Sequence, residues 1–169
     1  MDVQEMMKKY EKLGKPGEQH KLLERLTGSW EAKVRNWPEP GITPMESLGA
    51  SGKKMIMGGR FLQELFNGIM MGNKFNGLSI TGYDNHLEKF ETVWLDSTST
   101  SLLVFQGTVS QDLKKITMDC SHADAVRGPM NWRSVTTFID DNTHLFEMFS
   151  MKQNGKKEKN MEITYTRKK

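Results

Sequence analysis

Hydrophobic and polar residues follow two different periods in this chain, and the change falls at Trp30. Before it, apolar residues recur at helical spacing over 3–13 and again over 20–26, because residues three and four apart lie on one face of a helix. From Trp30 onward apolar residues alternate with charged ones, as in a strand with one buried face. The pattern predicts a helical N-terminal segment, at about 2–27, followed by strands.

Further strands are predicted wherever a short alternating or apolar run lies between turn formers such as Gly58 with Gly59 and Asn154 with Gly155. After the strand at Trp30, these runs lie at 45–57, 61–67, 75–83, 89–97, 102–109, 115–121, 132–140, 144–152 and 158–167.

Every connection between these runs is short, so consecutive strands are expected to pair antiparallel. About ten such strands form an up-and-down meander, which avoids exposed edges by closing on itself. We therefore expect a mainly β protein: a closed up-and-down antiparallel β-barrel of about ten strands, preceded by one or two short helices. No linker or internal repeat divides the sequence, so residues 1–169 are predicted to form a single domain.

Charge and cysteine content narrow the classes of partner. The chain has 24 Lys and Arg against 21 Asp and Glu, a net charge of +3, which is too weak and too local for nucleic-acid binding. Cys120 is the only cysteine, so an internal disulfide is impossible and a reducing, cytoplasmic location is expected. No apolar run approaches the roughly 18 residues of a membrane span, and no signal-peptide core is present.

Four short segments together resemble the signatures, in the same order, of a bacterial lipocalin-like family catalogued as a domain of unknown function. They are the residues His20, Leu23, Leu26, Gly28 and Trp30, then 82–85, then 94–97 with Ser99 and Thr100, and finally 163–167.

This resemblance implies membership of the calycin superfamily, whose barrels share a Gly-x-Trp motif on the first strand and a basic residue on the last. Gly28, Trp30 and Arg167 fit these positions, so Arg167 is expected to stack over Trp30 where the barrel closes. The resemblance implies no activity, because the family is uncharacterised and its fold is found in carriers, haem binders and a few enzymes.

Motifs for metal binding are missing from the sequence. The four histidines are scattered without the spacing of a zinc site, and Asp119, His122 and Asp124 are interpreted as a solvated loop. His20 is interpreted as a packing or capping histidine. No metal or cofactor is therefore predicted, although His144, taken to stand at a hairpin mouth, leaves haem binding as a less favoured alternative.

Catalytic motifs are equally scarce, and no catalytic residue is predicted. Cys120 alternates with apolar residues and is interpreted as a buried thiol. Glu64 and Glu147 lie among apolar neighbours and could face inward, but structural or solvent-facing acids are the favoured interpretation. The hydroxyl run 97–101 is interpreted as a hairpin tip, with a polar rim at a pocket mouth as the alternative. An enzyme remains the least favoured hypothesis.

The leading hypothesis is a barrel that binds a small hydrophobic or amphipathic molecule in its interior. An acidic head group would be held by Arg60 or Arg133, unless these arginines lie on the outer wall. The alternative is a non-enzymatic structural or interaction protein with a packed interior, which could form a homodimer. The aromatic and methionine residues expected to line the interior are Trp94, Met118, Phe149 and Tyr165.

Overall fold

Two helices and ten strands make up the regular structure of this protein in a computed structural model, which describes residues 2–70, 72–124 and 126–169. The helices are α1 (Val3–Leu13) and α2 (Glu18–Glu24). The strands are β1 (Gly28–Asn36), β2 (Met45–Ile56), β3 (Phe61–Met70), β4 (Asn73–Asp84), β5 (Lys89–Asp96), β6 (Leu103–Val109), β7 (Lys115–Asp124), β8 (Gly128–Asp140), β9 (Thr143–Met151) and β10 (Lys157–Arg167).

The strands close into one antiparallel barrel. Each strand pairs with the next along the chain, and β1 pairs with β10 to complete the ring. The predicted fold class, a closed up-and-down barrel preceded by short helices, is therefore confirmed. The largest boundary difference is in β8, which begins at Gly128 rather than at 132, because Pro129 and the residues around it pair with the end of β7 without an apolar alternation.

The seam between β1 and β10 is fastened by Arg167. Its guanidinium carbon lies 4.1 Å from the centroid of the Trp30 ring, so the stacking expected from the sequence is present. Arg167 also donates hydrogen bonds to the backbone carbonyls of Asp141, Thr27 and Arg25. Gly28 makes room for it: its φ is +117°, and a Cβ there would lie 2.6 Å from a guanidinium nitrogen of Arg167.

Helix α2 closes one end of the barrel. Leu22, Leu23 and Leu26, in α2 and the turn after it, are buried against inward-facing side chains such as Phe90 and Ile116. The helix starts where the backbone N–H of Gly17 donates to Nδ1 of His20. His20 is therefore a capping residue, as the sequence suggested.

Helix α1 packs against no other helix or strand of the described residues. Its C-terminal end is held by Asn85, whose side-chain amide donates to the carbonyls of Leu13 (2.7 Å) and Lys15 (2.9 Å). The apolar stripe of α1 stays exposed. Among the residues described, no helix is long and apolar enough to cross a membrane.

Candidate functional site

The barrel interior holds a cavity of about 270 Å³. It runs from Leu23 and Leu26 at the closed end to a mouth at the opposite end, where Leu48, Ile69 and Thr98 meet. Most of the wall between these ends is apolar. The barrel is thus not filled by its own side chains, and space remains for a small molecule.

Five polar side chains meet on the wall of this cavity, and we call them the interior polar cluster. They are Ser51, Lys53, Glu64, His144 and Tyr165. Oε1 of Glu64 accepts hydrogen bonds from the hydroxyls of Ser51 (2.7 Å) and Tyr165 (3.2 Å), and Nζ of Lys53 lies 3.4 Å from the same oxygen. All but Ser51 line the cavity directly.

His144 is packed inside this cluster. Its ring is stacked on Tyr165 at a centroid distance of 4.4 Å and lies perpendicular to the ring of Trp30, also at a centroid distance of 4.4 Å. Nε2 lies 3.0 Å from Nζ of Lys53, and within the described part of the chain Nδ1 is buried without a partner. Burial, together with the charges of Lys53 and Arg167, lowers the pKa of His144 to about 2, so the ring is neutral.

Burial also acts on the other ionisable members of the cluster. The pKa of Lys53 is lowered because its ammonium is taken out of water, and the carboxylate of Glu64 opposes this shift. The pKa of the Tyr165 hydroxyl is raised well above its usual value by burial and by the nearby Glu64. The cluster therefore has one carboxylate, one lysine that loses its proton more readily than an exposed lysine, and a phenol that stays protonated.

The hairpin between β2 and β3 places Lys53 opposite Glu64. Its turn, 57–60, contains Gly58 and Gly59 at φ +66° and +81°, a backbone conformation that glycine adopts easily. The turn sets a register in which Lys53 pairs with Glu64. Both side chains then face inward, because Glu64 shares its face of β3 with Leu62 and Phe66.

Three of the predicted lining residues do line the cavity: Trp94, Met118 and Tyr165. Phe149 does not, which corrects that prediction. The alternate residues Phe146 and Met148 face the cavity, so Phe149 lies on the outer face of β9. It is nevertheless only 7% exposed, because Lys157 and Lys159 lie over its ring.

Neither arginine proposed as an anchor reaches the interior. Arg60 lies in the exposed β2–β3 turn and donates to the carbonyls of Met57 and Gly58. Arg133 lies on the outer face of β8 and makes two hydrogen bonds, of 2.7 and 2.9 Å, to the carboxylate of Asp119. The basic residue inside the barrel is Lys53, which the sequence did not single out.

The structure also places the other candidate residues named from the sequence. Glu64 faces the cavity, whereas Glu147 faces outward and forms an ion pair with Lys159 at 2.6 Å. Asp124 is engaged by the backbone N–H groups of Val126 and Arg127, and Cys120 is a buried free thiol. Thr98, from the hydroxyl run, lies at the cavity mouth.

His144 does not stand at a hairpin mouth, contrary to the sequence interpretation. It is only 2% exposed, and Nε2 is engaged by Lys53 while Nδ1 is shut off from the cavity by burial. A proximal haem ligand needs a ring nitrogen that can reach the iron. This arrangement therefore does not fit a haem site.

Solved structures with the same barrel include two proteins of low sequence identity. The S-type phycobiliprotein lyase CPES from Guillardia theta is 12% identical, with a TM-score of 0.58 over 89% of this chain and 93% of that one. Rv2717c from M. tuberculosis is 14% identical, with a TM-score of 0.62 over 92% of this chain and 100% of that one. At these identities the likeness concerns the fold alone.

The chain also matches a family at the level of sequence, although no curated protein matches it. The family is described as a protein of unknown function (DUF1579), and the match extends over residues 15–167. It covers the four segments that carry the lipocalin-like resemblance. The chain therefore belongs to the DUF1579 family of unknown function.

Proposed function

We propose that this protein binds a small, mainly apolar molecule in the barrel cavity, with the ligand's polar end against the interior polar cluster. The observation that carries this proposal is a cavity of about 270 Å³ with a buried Lys53–Glu64 pair on its otherwise largely apolar wall. Apolar pockets with a few convergent polar groups are typical of small-molecule sites. The volume lies just below the ~300–1,000 Å³ of sites for drug-sized ligands, so the expected ligand is a short chain or a single ring.

The charges inside the barrel favour an uncharged polar end. Lys53 and Glu64 already form an ion pair at 3.4 Å, and a charged head group would add an unmatched charge to a low-dielectric interior. A hydroxyl or carbonyl group needs no such compensation. This proposal replaces the acidic head group expected from the sequence, because Arg60 and Arg133 lie outside the cavity.

The carboxylate of Glu64 offers a specific contact for such a group. The hydrogen bonds from Ser51 and Tyr165 both go to Oε1, and 15% of the Glu64 side-chain surface stays accessible. The second oxygen can therefore accept a hydrogen bond from a ligand hydroxyl. Ser79 is buried on the neighbouring strand, lines the cavity, and pairs with Glu64 across β3 and β4, which adds a second hydroxyl close to this point.

Binding can be followed by the fluorescence of Trp94, whose ring lines the cavity. Aliphatic alcohols of four to about ten carbons, a range set roughly by the cavity size, should give saturable responses with an optimum chain length. Ser79→Leu fills the cavity and should abolish the response, whereas Asn76→Leu, on the outer face of the same strand, should preserve it. Equal responses from both variants would contradict binding inside the barrel.

Self-association is a second candidate, favoured by helix α1. Its apolar stripe includes Met6, Met7 and Tyr10, which are exposed although the helix packs on no other described element. Burying this stripe against a second copy would remove apolar surface from water. Native mass spectrometry should then show a dimer that Met7→Asp with Tyr10→Asp dissociates, while Lys8→Asp leaves it intact.

The cytoplasm is the compartment we propose for this activity. Cys120 is free and buried, and the chain has no second cysteine for an internal disulfide, which suits a reducing environment. Fractionation of cells that express the tagged protein tests this location.

A further inference from the structure

We propose that the amine of Lys53 forms a reversible imine with an aldehyde or ketone group of the ligand in the cavity. This inference deepens the proposed function and rests on it, because it assigns the ligand's polar end as a carbonyl. It concerns the bond that holds the ligand rather than the space that admits it.

The position of Lys53 sets it apart from an ordinary lysine. Lysines are almost never fully buried unless paired, and Lys53, which pairs with Glu64, is only 8% exposed and lines the cavity. Its Nζ lies 4.0 Å from the centroid of the Tyr165 ring, 3.0 Å from Nε2 of His144 and 3.4 Å from Oε1 of Glu64. The unprotonated amine is the nucleophilic form of lysine, and desolvation favours that form.

The contact with His144 persists in both protonation states of Lys53. When Lys53 is an ammonium, it donates a hydrogen bond to Nε2 of His144 across the 3.0 Å contact. When Lys53 is an amine, the other tautomer of the neutral ring can donate to it from Nε2. Loss of a proton from Lys53 therefore leaves this hydrogen bond in place and requires no movement of the ring.

Glu64 is placed to accept a proton at the start of the reaction and to donate it at the end. Its Oε1 lies 3.4 Å from Nζ of Lys53 and can take the proton that the ammonium releases. The nitrogen lone pair then attacks the carbonyl carbon, so that a C–N bond forms and the carbonyl π electrons move to the oxygen, which takes a proton from the attached nitrogen and becomes a hydroxyl. The nitrogen lone pair expels that hydroxyl as water with the proton returned by Glu64, and the products are one protonated imine and one water, without any oxidant or reductant.

The same groups would stabilise the adduct. A protonated imine keeps the positive charge of the lysine at nearly the same point, so it can pair with Glu64 as the ammonium does. Ser51 and Tyr165 hold Glu64 from the other side. The charge balance of the interior polar cluster is therefore the same before and after the reaction.

The experiment uses hexanal and sodium cyanoborohydride with the whole protein at neutral pH, followed by intact-mass measurement and peptide mapping. Lys53 should be labelled before any other lysine, since each unit by which the pKa of a lysine falls raises its unprotonated fraction about tenfold. Lys54, the exposed neighbour on the outer face of β2, is the internal comparison. Hexan-1-ol should slow the labelling of Lys53 and leave that of Lys54 unchanged.

Several variants extend the test, so that it does not depend on whether any single variant folds. Lys53→Arg should remove the fast adduct and keep the positive charge, and Glu64→Gln should slow its formation at least several-fold, whereas Lys54→Arg should change neither. Saturable binding of hexan-1-ol without preferential labelling of Lys53 would overturn the imine and leave the proposed function standing. Absence of binding by both hexanal and hexan-1-ol would overturn both.

Discussion

Arg167 lies over the ring of Trp30 and donates to carbonyls on both sides of the barrel seam, so a single side chain joins the first strand, the last strand and the turn before β1. Trp30 in turn donates from its indole nitrogen to the carbonyl of Leu26, at 2.8 Å. The tryptophan therefore also connects the barrel to the segment that closes its end.

Arg167→Ala should lower the free energy of unfolding by about 1–3 kcal/mol, through loss of the cation–π contact and the carbonyl hydrogen bonds. Ligand affinity should not change, because Arg167 does not line the cavity. Urea unfolding of both proteins measures the difference. Arg133→Ala is the matched control: its ion pair is exposed on the barrel surface and should contribute at most about 1 kcal/mol.

Lys53→Met should destabilise the protein by about 3–5 kcal/mol, because it leaves Glu64 without its cationic partner inside the barrel. Adding Glu64→Gln should restore part of this loss, since the second change removes the uncompensated charge. The double-mutant cycle thus predicts strong non-additivity in the free energy of unfolding. Simple addition of the two losses would show that Lys53 and Glu64 do not act as a pair.

Acidification should destabilise the fold through His144. Its pKa is about 2 in the folded protein against 6.5 for the free side chain, so the unfolded chain binds the extra proton between these values. The free energy of unfolding should therefore fall as the pH decreases below about 6.5, by up to roughly 1.4 kcal/mol per pH unit from this residue.

His144→Phe keeps an aromatic ring in place. It should reduce the pH dependence of the free energy of unfolding by the contribution of about one proton, whatever its effect on absolute stability. Urea unfolding at several pH values between 4 and 7 measures it. His86→Phe is the control, because the side chain of His86 is exposed in a turn. A slope unchanged by His144→Phe would assign the acid sensitivity to other groups.

Gly107→Ala should destabilise the barrel by about 1–3 kcal/mol or more. A Cβ at this position would lie 1.8 Å from the carbonyl oxygen of Thr117, so β6 and β7 would have to move apart. Gly52→Ala should be neutral or slightly stabilising, because no atom lies within 4 Å of the added methyl group. Thermal unfolding of the two variants gives the comparison, and equal Tm values would contradict this account.

The fold could be predicted from the sequence because two simple signals agree on it. The change of period at Trp30 separates helices from strands, and short turns require each strand to pair with the next one. Closure follows from the need to avoid open edges, and the strand ends differ only where apolar alternation is missing. The segment at Gly128 and Pro129 is the clearest case.

The site was harder to predict from the sequence, because alternation identifies the inward face of a strand only when one of its faces is apolar and the other is polar. In β2, Ser51 and Lys53 alternate with Gly52 and Lys54, so both faces are polar and the pattern does not show which of them is buried. Glu64, between Leu62 and Phe66, was the available signal, and the register of the β2–β3 hairpin would have placed Lys53 opposite it.

The predictions for Phe149 as a lining residue and Arg60 as an anchor were wrong for related reasons. Apolar residues occur on both faces of β9, as Phe146 and Phe149 show, so the alternation of apolar and polar residues could not exclude Phe149 from the cavity. Arg60 precedes Phe61 and Leu62 in sequence, but it belongs to the turn and not to the strand. Adjacency to apolar residues along the chain is therefore a poor guide to the direction of an arginine.

The pairing of β1 with β10 has a consequence for how this chain reaches its native state. Arg35 and Glu162, which meet across that seam, are 127 residues apart in sequence, so closure brings together the most distant parts of the barrel and is entropically late. Until β10 docks, the sheet is an open ribbon whose free edges, β1 and β9, can pair with other chains. A protein shortened before residue 157 should consequently accumulate as aggregates. Docking of β10 is therefore the step that converts an aggregation-prone intermediate into a closed barrel.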